Sequence, residues 1–289
     1  MDVDAKTGPD QITAPLVVQS RTFGAIAVIE RDCPLCGHGN AGEPERAESF
    51  DVWTVRRCAK CGFVYTDKAF YGEHPPADVR LSQSRLSKLT RFRMHLLPRK
   101  QWDVLVEVWA QPGAVMDLGC RDAAWAEDLS PAFVPYGIEP DPHLAEAAAQ
   151  RLIERGGACI NGPIVGGLSM LEDGFFSTVL LRSRLQREVD PLGVLRETHR
   201  VLRPGGVVLV KVPNFGSLNR MVMGAKWCGL RYPGHINHFT ENTLSKMGEK
   251  AGFNVHHGLT FTLPTSDTMY AAFKKAGGRS RRYSACRGG

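Results

Sequence analysis

The sequence predicts an α/β fold: a doubly wound, mostly parallel sheet with helices on both faces, preceded by a small cysteine-bearing module. Three observations carry that prediction. From Ala114 onward, apolar strand-like runs alternate with helix-like segments, the pattern of a parallel sheet wound by crossover helices. The aliphatic run in VMDLGC ends in Asp117, and Gly119 follows two residues later. That is a tight turn at the carboxyl end of a strand, where such sheets bind ligands. Ahead of this half stand two C-x-x-C pairs, Cys33/Cys36 and Cys58/Cys61.

The elements follow in order. AVMDLGC reads as a buried strand, AAWAEDLSPAF as a short helix and PYGIEPD as a strand with its exit loop. HLAEAAAQRLIERGG is alanine-rich and closes on Gly156-Gly157, the usual stop for a helix. GACINGP and STVLLRS are two further strands, and PLGVLRETHRVL is a helix ended by Arg203-Pro204-Gly205-Gly206. VVLVKVPN follows as a continuous apolar strand, Thr240 is the N-cap of a later helix, and His256-His257 lie on a sixth strand.

The expected organisation is a poorly ordered leader (1–28), a zinc ribbon (29–72), a linker and amphipathic helix (73–110), the α/β domain (111–270) and a basic disordered tail (271–289). Within the third segment, Val79 to Lys100 carries leucines at helical spacing and a basic outer face.

The net charge of +6 is local rather than general. Six basic residues follow Ala271 with no acid among them, and without them 30 basic residues balance 30 acidic ones. Such a tail offers a contact for nucleic acid or an acidic surface, or serves solubility. No window holds the roughly 18 apolar residues of a membrane span, and the acidic start MDVDAKTGPD lacks the order of a secretory signal. The chain is therefore expected to be soluble and cytoplasmic, with no membrane partner. In that compartment paired cysteines point to metal rather than disulfides.

Cys33, Cys36, Cys58 and Cys61 form two knuckles of one design. A two-residue spacer lets both thiolates of a pair face one ion, and a glycine after each second cysteine relieves the turn. Two knuckles complete a tetrahedral four-sulfur zinc site. The 21 residues between them fit a hairpin and loop, with VWTVRRC and FVYTD as its strands. Four thiolates leave no open position, so the zinc is structural.

In the second half, Glu139 ends the next strand 22 residues after Asp117. An acid there suits two vicinal ribose hydroxyls. VMDLGC, YGIEPDP and VDPLGVLRETHRVLRPGGVVLVKVPN together resemble a class I S-adenosylmethionine-dependent methyltransferase, a Rossmann-like fold. HINHFTENTLSKMGEKAGF resembles a segment of the subgroup that acts on sugars and other small metabolites, in which a four-cysteine zinc ribbon often precedes the catalytic domain. The resemblance spans roughly residues 30–262. It implies S-adenosylmethionine as cofactor and a small-molecule acceptor. Asp117 and Gly119 would lie by the methionine portion, Glu139 would hold the ribose, Asn161 and Gly162 would lie near the adenine, and Cys120, Arg121 and Pro140 would also border the cofactor.

The chain departs from the pattern in one region. Where relatives carry G-x-G-x-G, Arg121 and Ala123 replace the second and third glycines. Arginine there either fills the pocket or pairs with the methionine carboxylate. Further on, Ser177, Gln186 and Arg187 replace the usual Asp, Glu and His, removing a residue often invoked as a base. The candidate bases that remain are His238 and, behind it, His235, in YPGHINHFT. Trp227 and Tyr232 offer stacking surfaces or hydrophobic anchors for the same loop.

Three readings follow. The first is methyl transfer to a small metabolite. The second is a catalytically silent relative that binds or scaffolds a partner protein. The third is an RNA methyltransferase, suggested by the zinc module and the basic segments but opposed by the neutral remainder.

Overall fold

The computed structural model describes residues 16–21, 24–39, 44–70, 101–259 and 265–277. The expected amphipathic helix at Val79 to Lys100 and the last residues of the basic tail lie outside them.

The amino-terminal half is built of short strands: β1 (Leu16–Ser20), β2 (Gly24–Glu30), β3 (Pro44–Phe50), β4 (Trp53–Arg57), β5 (Val64–Thr66) and β6 (Lys68–Phe70). Strands β1 and β2 form an antiparallel hairpin that adds to β6, so residues 16–30, expected in large part to be leader, are joined to the ribbon. Trp53, Val28 and Phe70 close a small core beneath them.

The second half runs α1 (Gln101–Trp109), β7 (Gly113–Leu118), β8 (Phe133–Glu139), α2 (Pro142–Ile153), β9 (Cys159–Asn161), α3 (Ile164–Ser169), β10 (Phe176–Arg182), α4 (Pro191–Val201), β11 (Leu202–Pro213), α5 (Leu218–Met223), β12 (Asn237–His238), α6 (Glu241–Lys250), β13 (Phe253–His257) and β14 (Thr268–Lys275). The expected short helix after β7 is a 3-10 turn at Ala124–Asp128.

Local chemistry starts each principal helix. Asp141 accepts the His143 and Leu144 N–H groups ahead of Pro142, and Asp190 accepts that of Gly193 ahead of Pro191. Thr240 and Thr243 exchange hydrogen bonds in a capping box at α6. Helix α2 buries Ala145, Ala148 and Leu152, one stripe at helical spacing.

Seven strands form the main sheet in the order β13-β14-β11-β10-β7-β8-β9. The pairs from β11 to β9 are parallel, and β14 is antiparallel to both neighbours. This is the predicted doubly wound, mostly parallel architecture. Chain order reverses between β7 and β10, which makes that junction the topological switch point where such sheets hold ligands.

Strand β14 corrects the tail boundary. Ala271, Ala272 and Phe273 are fully buried inside the sheet, and Lys275 turns its ammonium onto the carbonyls of His199 and Leu202. The basic composition after Ala271 masks a strand whose apolar face is short and alanine-rich.

The ribbon is stitched to the main domain through the segment that carries the candidate histidines. Strand β12 pairs with β5, Asn237 opposite Tyr65 and His238 opposite Val64. Buried Arg31 donates to Asn237 Oδ1 at 2.7 Å and to the carbonyls of Ile236 and Val189. Phe63 packs edge-on against Phe239, and Lys250 Nζ donates to the Leu35 carbonyl at 2.8 Å.

Candidate functional site

The four cysteine sulfurs lie within 4.8 Å of one another. Cys33 and Cys61 Sγ are 3.4 Å apart, Cys36 and Cys58 Sγ 3.5 Å. Four thiolates at about 2.3 Å from one tetrahedral ion would stand roughly 3.8 Å apart. Number, element and spacing of the donors all suit zinc.

The second centre lies where β7 and β10 end. Four described non-glycine residues have positive φ: Asp51, Arg121 (56°), Ala123 (54°) and Ser183 (60°). Three of the four sit at this switch point, and such strain concentrates at functional sites. Arg121 and Ala123 hold the left-handed backbone that glycine adopts freely. The backbone holds this conformation without glycine at either position, and most of the loop amides are engaged. Gly119 and Cys120 N–H reach the Ile138 carbonyl at 2.8 and 3.3 Å, and Ala123 N–H reaches that of Cys120 at 3.0 Å.

Arg121 N–H donates to Glu139 Oε2 at 2.8 Å, and Asp141 N–H to Oε1 at 3.0 Å. Asn161 Nδ2 donates to the carbonyls of Glu139 (2.9 Å) and Pro140 (3.3 Å), and Gly162 N–H to that of Glu139 (3.2 Å). Cys120 Sγ lies 3.8 Å from Cys159 Sγ. Asp117, Gly119, Cys120, Arg121, Glu139, Pro140, Asn161 and Gly162 thus form one continuous belt across the ends of β7, β8 and β9.

Asp117 is fully buried. Its Oδ2 pairs with Arg182 at the end of β10, while Oδ1 has no hydrogen-bond partner. Burial pushes the Asp117 carboxyl up, with Arg182 pulling the other way. Arg182 also stacks over Trp125. Arg184 pairs with Glu188 and lies over Gly119, so that a Cβ there would meet its Cδ at 3.5 Å.

His238 and His235 are buried on the adjoining loop, 2% and 5% exposed. His238 Nε2 meets the Tyr232 hydroxyl at 3.0 Å, and His235 Nδ1 the Gly229 carbonyl at 2.8 Å. Burial, reinforced by neighbouring cations, pushes both imidazoles down to about 3. Both are therefore neutral at ordinary pH and weak bases. Ile236 N–H donates to the Gln186 carbonyl at 2.8 Å, tying this loop to the turn after β10. Trp227 is an anchor: it is 1% exposed, with its indole N–H on Asp267 Oδ1 at 2.6 Å.

A family model described as "Methyltransferase domain" matches residues 90–258. The chain belongs to the methyltransferase-domain family. Among curated proteins, this methyltransferase-domain chain is 30% identical over 140 residues to the demethylmenaquinone methyltransferase of Geobacillus stearothermophilus, covering 46% of the chain and 58% of that protein. It is 29% identical over 133 residues to one from Listeria monocytogenes, covering 43% and 54%. The chain thus spans a little over half the length of the curated relatives it matches. Among solved structures, an S-adenosylmethionine-dependent methyltransferase from Thermotoga maritima shares 19% identity with a TM-score of 0.48, over 66% of this chain and 96% of that one. One from Archaeoglobus fulgidus shares 12% with a TM-score of 0.47, over 65% and 99%.

For this methyltransferase-domain protein, sequence reasoning missed Arg182, Arg184 and Arg231. No spacing rule marks them; only the convergence of the β10 turn with the loop before β12 does. It noted Tyr232 as a stacking surface, without the hydroxyl contact to His238. No described helix is long and apolar enough to cross a membrane.

Proposed function

We propose that the chain transfers the methyl group of S-adenosylmethionine to a small-molecule acceptor, with zinc held by Cys33, Cys36, Cys58 and Cys61 as a structural ion. The observation that carries this reading is the belt from Asp117 to Gly162 at the switch point, with glycine-loop backbone preserved at Arg121 and Ala123.

The residues present suit the cofactor. Asp117 Oδ1, a buried acceptor without a partner, would be satisfied by a cationic amino group. Arg121 is exposed beside it and offers a guanidinium to a carboxylate. Glu139 keeps unused lone pairs for ribose hydroxyls, and open space at Gly162 leaves room for the base. When bound, the cofactor supplies an electrophilic methyl group on a sulfonium. The protein's own contribution is then position and dryness.

In this reading the neutral His238 orients the Tyr232 hydroxyl through the 3.0 Å contact at Nε2. The hydroxyl would position the acceptor, whose proton leaves to solvent, and His235 would hold the loop that carries both. Zinc acts at a distance, by bracing β5 against β12.

The acceptor class follows the demethylmenaquinone methyltransferases among the chain's relatives. A second reading, a silent binding protein, draws on Arg182 at Asp117 and Arg184 over Gly119, which together fill the methionine end of the belt. Thermal shift of zinc-loaded protein separates the two. Both S-adenosylmethionine and its demethylated product, S-adenosylhomocysteine, should raise the melting temperature under the first reading, and neither under the second.

A further inference from the structure

Five arginines stand on the loops that meet at the end of the belt. Arg121 follows β7, Arg182, Arg184 and Arg187 follow β10, and Arg231 stands on the loop before β12. The loops bearing them are tied together: Ile236 N–H reaches the Gln186 carbonyl at 2.8 Å, and His235 N–H the Arg231 carbonyl at 2.7 Å. Arg187 is exposed overall, yet desolvation by the packing around it lowers its pKa, and the charges of Arg184, Arg231 and Arg121 lower it further, against Glu188. Arg187 and Arg231 also help keep His235 neutral.

Neutralisation is incomplete. Asp117 takes Arg182 and Glu188 takes Arg184. Glu139 takes backbone N–H groups. Among the described residues no carboxylate pairs with Arg121, Arg187 or Arg231; Arg231 Nε reaches only the Cys228 carbonyl. Five cations against three carboxylates leave an excess of two. S-adenosylmethionine, with two positive groups and one carboxylate, would raise that excess rather than remove it. A fold that gathers like charges pays for their repulsion, and an anion is what removes it. Guanidinium suits this because it stays charged and presents a planar fork to phosphoryl oxygens.

We propose that Arg187 and Arg231 form a receptor for a multiply charged anionic group of the phosphoryl type, carried by the methyl acceptor. The word acceptor rests on the methyl-transfer reading; the anion site does not.

The test is calorimetric titration of full-length, zinc-loaded protein with inorganic pyrophosphate and, separately, with S-adenosylmethionine. One pyrophosphate should bind per chain, more weakly as salt rises. Arg187→Gln and Arg231→Gln should each weaken it by about tenfold or more, with S-adenosylmethionine affinity within about threefold of wild type. Both side chains are exposed, so either variant tests the site if the other folds poorly. Arg196→Gln, exposed on α4, is the control for general charge. No pyrophosphate binding, or equal weakening by Arg196→Gln, overturns the receptor. Pyrophosphate binding without S-adenosylmethionine binding would keep the receptor and sink the methyl-transfer reading.

Discussion

Replacing Arg121 with glycine tests how the loop after β7 is held and what its side chain does. The backbone there has φ of 56°, a region that costs a non-glycine residue about 1–2 kcal/mol. Glycine removes that cost but gives the unfolded chain more freedom, worth about 0.5–1 kcal/mol. The hydrogen bond to Glu139 comes from the backbone N–H and survives the change. Arg121→Gly should therefore stabilise the protein by about 0.5–1 kcal/mol, raising the melting temperature by roughly 1–4 °C for a domain of this size. Differential scanning calorimetry on zinc-loaded protein measures it. A lower melting temperature would refute the claim that the loop is strained. The same variant reports on the side chain. If Arg121 meets the cofactor carboxylate, S-adenosylmethionine affinity should fall by about tenfold. If Arg121 blocks the pocket, as the silent reading has it, affinity should rise.

Three further outcomes are expected. Stripping zinc, or Cys58→Ser, should unfold the ribbon and loosen the loop around His238; hydrogen exchange should quicken at Tyr65 and His238 together, whereas exchange confined to the ribbon would refute the bracing role of β5 and β12. Gly137→Ala should destabilise by about 1–3 kcal/mol, because its Cβ would lie within contact distance of Cys120 Sγ and 3.0 Å from Cys120 Cβ. Adding Cys120→Ala should recover part of that loss in urea unfolding; strict additivity would argue that the contact is not the cause. The third concerns acid. His235 and His238 have folded pKa values lowered to about 3 against about 6.5 unfolded. Below pH 6.5 the unfolded chain binds protons that the folded chain refuses, so stability falls as pH falls. Each histidine should cost about 2 kcal/mol between pH 7.5 and 5.0, and His238→Gln should flatten that dependence in urea titrations.

Much of the fold was legible. Continuous apolar runs marked β7, β10 and β11, and Thr240 announced its helix by capping chemistry that acts within three residues. The placement of Asp117 and Glu139 at two strand ends was legible too, because an acid at each of two strand ends is a local signal with a fixed spacing. What escaped was long-range or masked by composition. Strand β14 hides behind Lys274 and Lys275, whose charges imitate a tail while Ala271, Ala272 and Phe273 fill the sheet. The pairing of Tyr65 with Asn237 joins segments far apart in sequence, and nothing local to either predicts it. The histidines were expected as candidate bases on a loop, yet both are buried and neutral. The contact that local sequence could not show is the Tyr232 hydroxyl beside His238. The arginines needed three loops in place before their shared charge became visible.

The measurement that bears most directly on the account is calorimetric titration of zinc-loaded protein with S-adenosylmethionine, wild type beside Glu139→Gln. The account predicts one site per chain in the wild type and binding weakened by about tenfold or more in Glu139→Gln. No binding to folded, zinc-loaded wild type would contradict it, as would equal affinity in the variant.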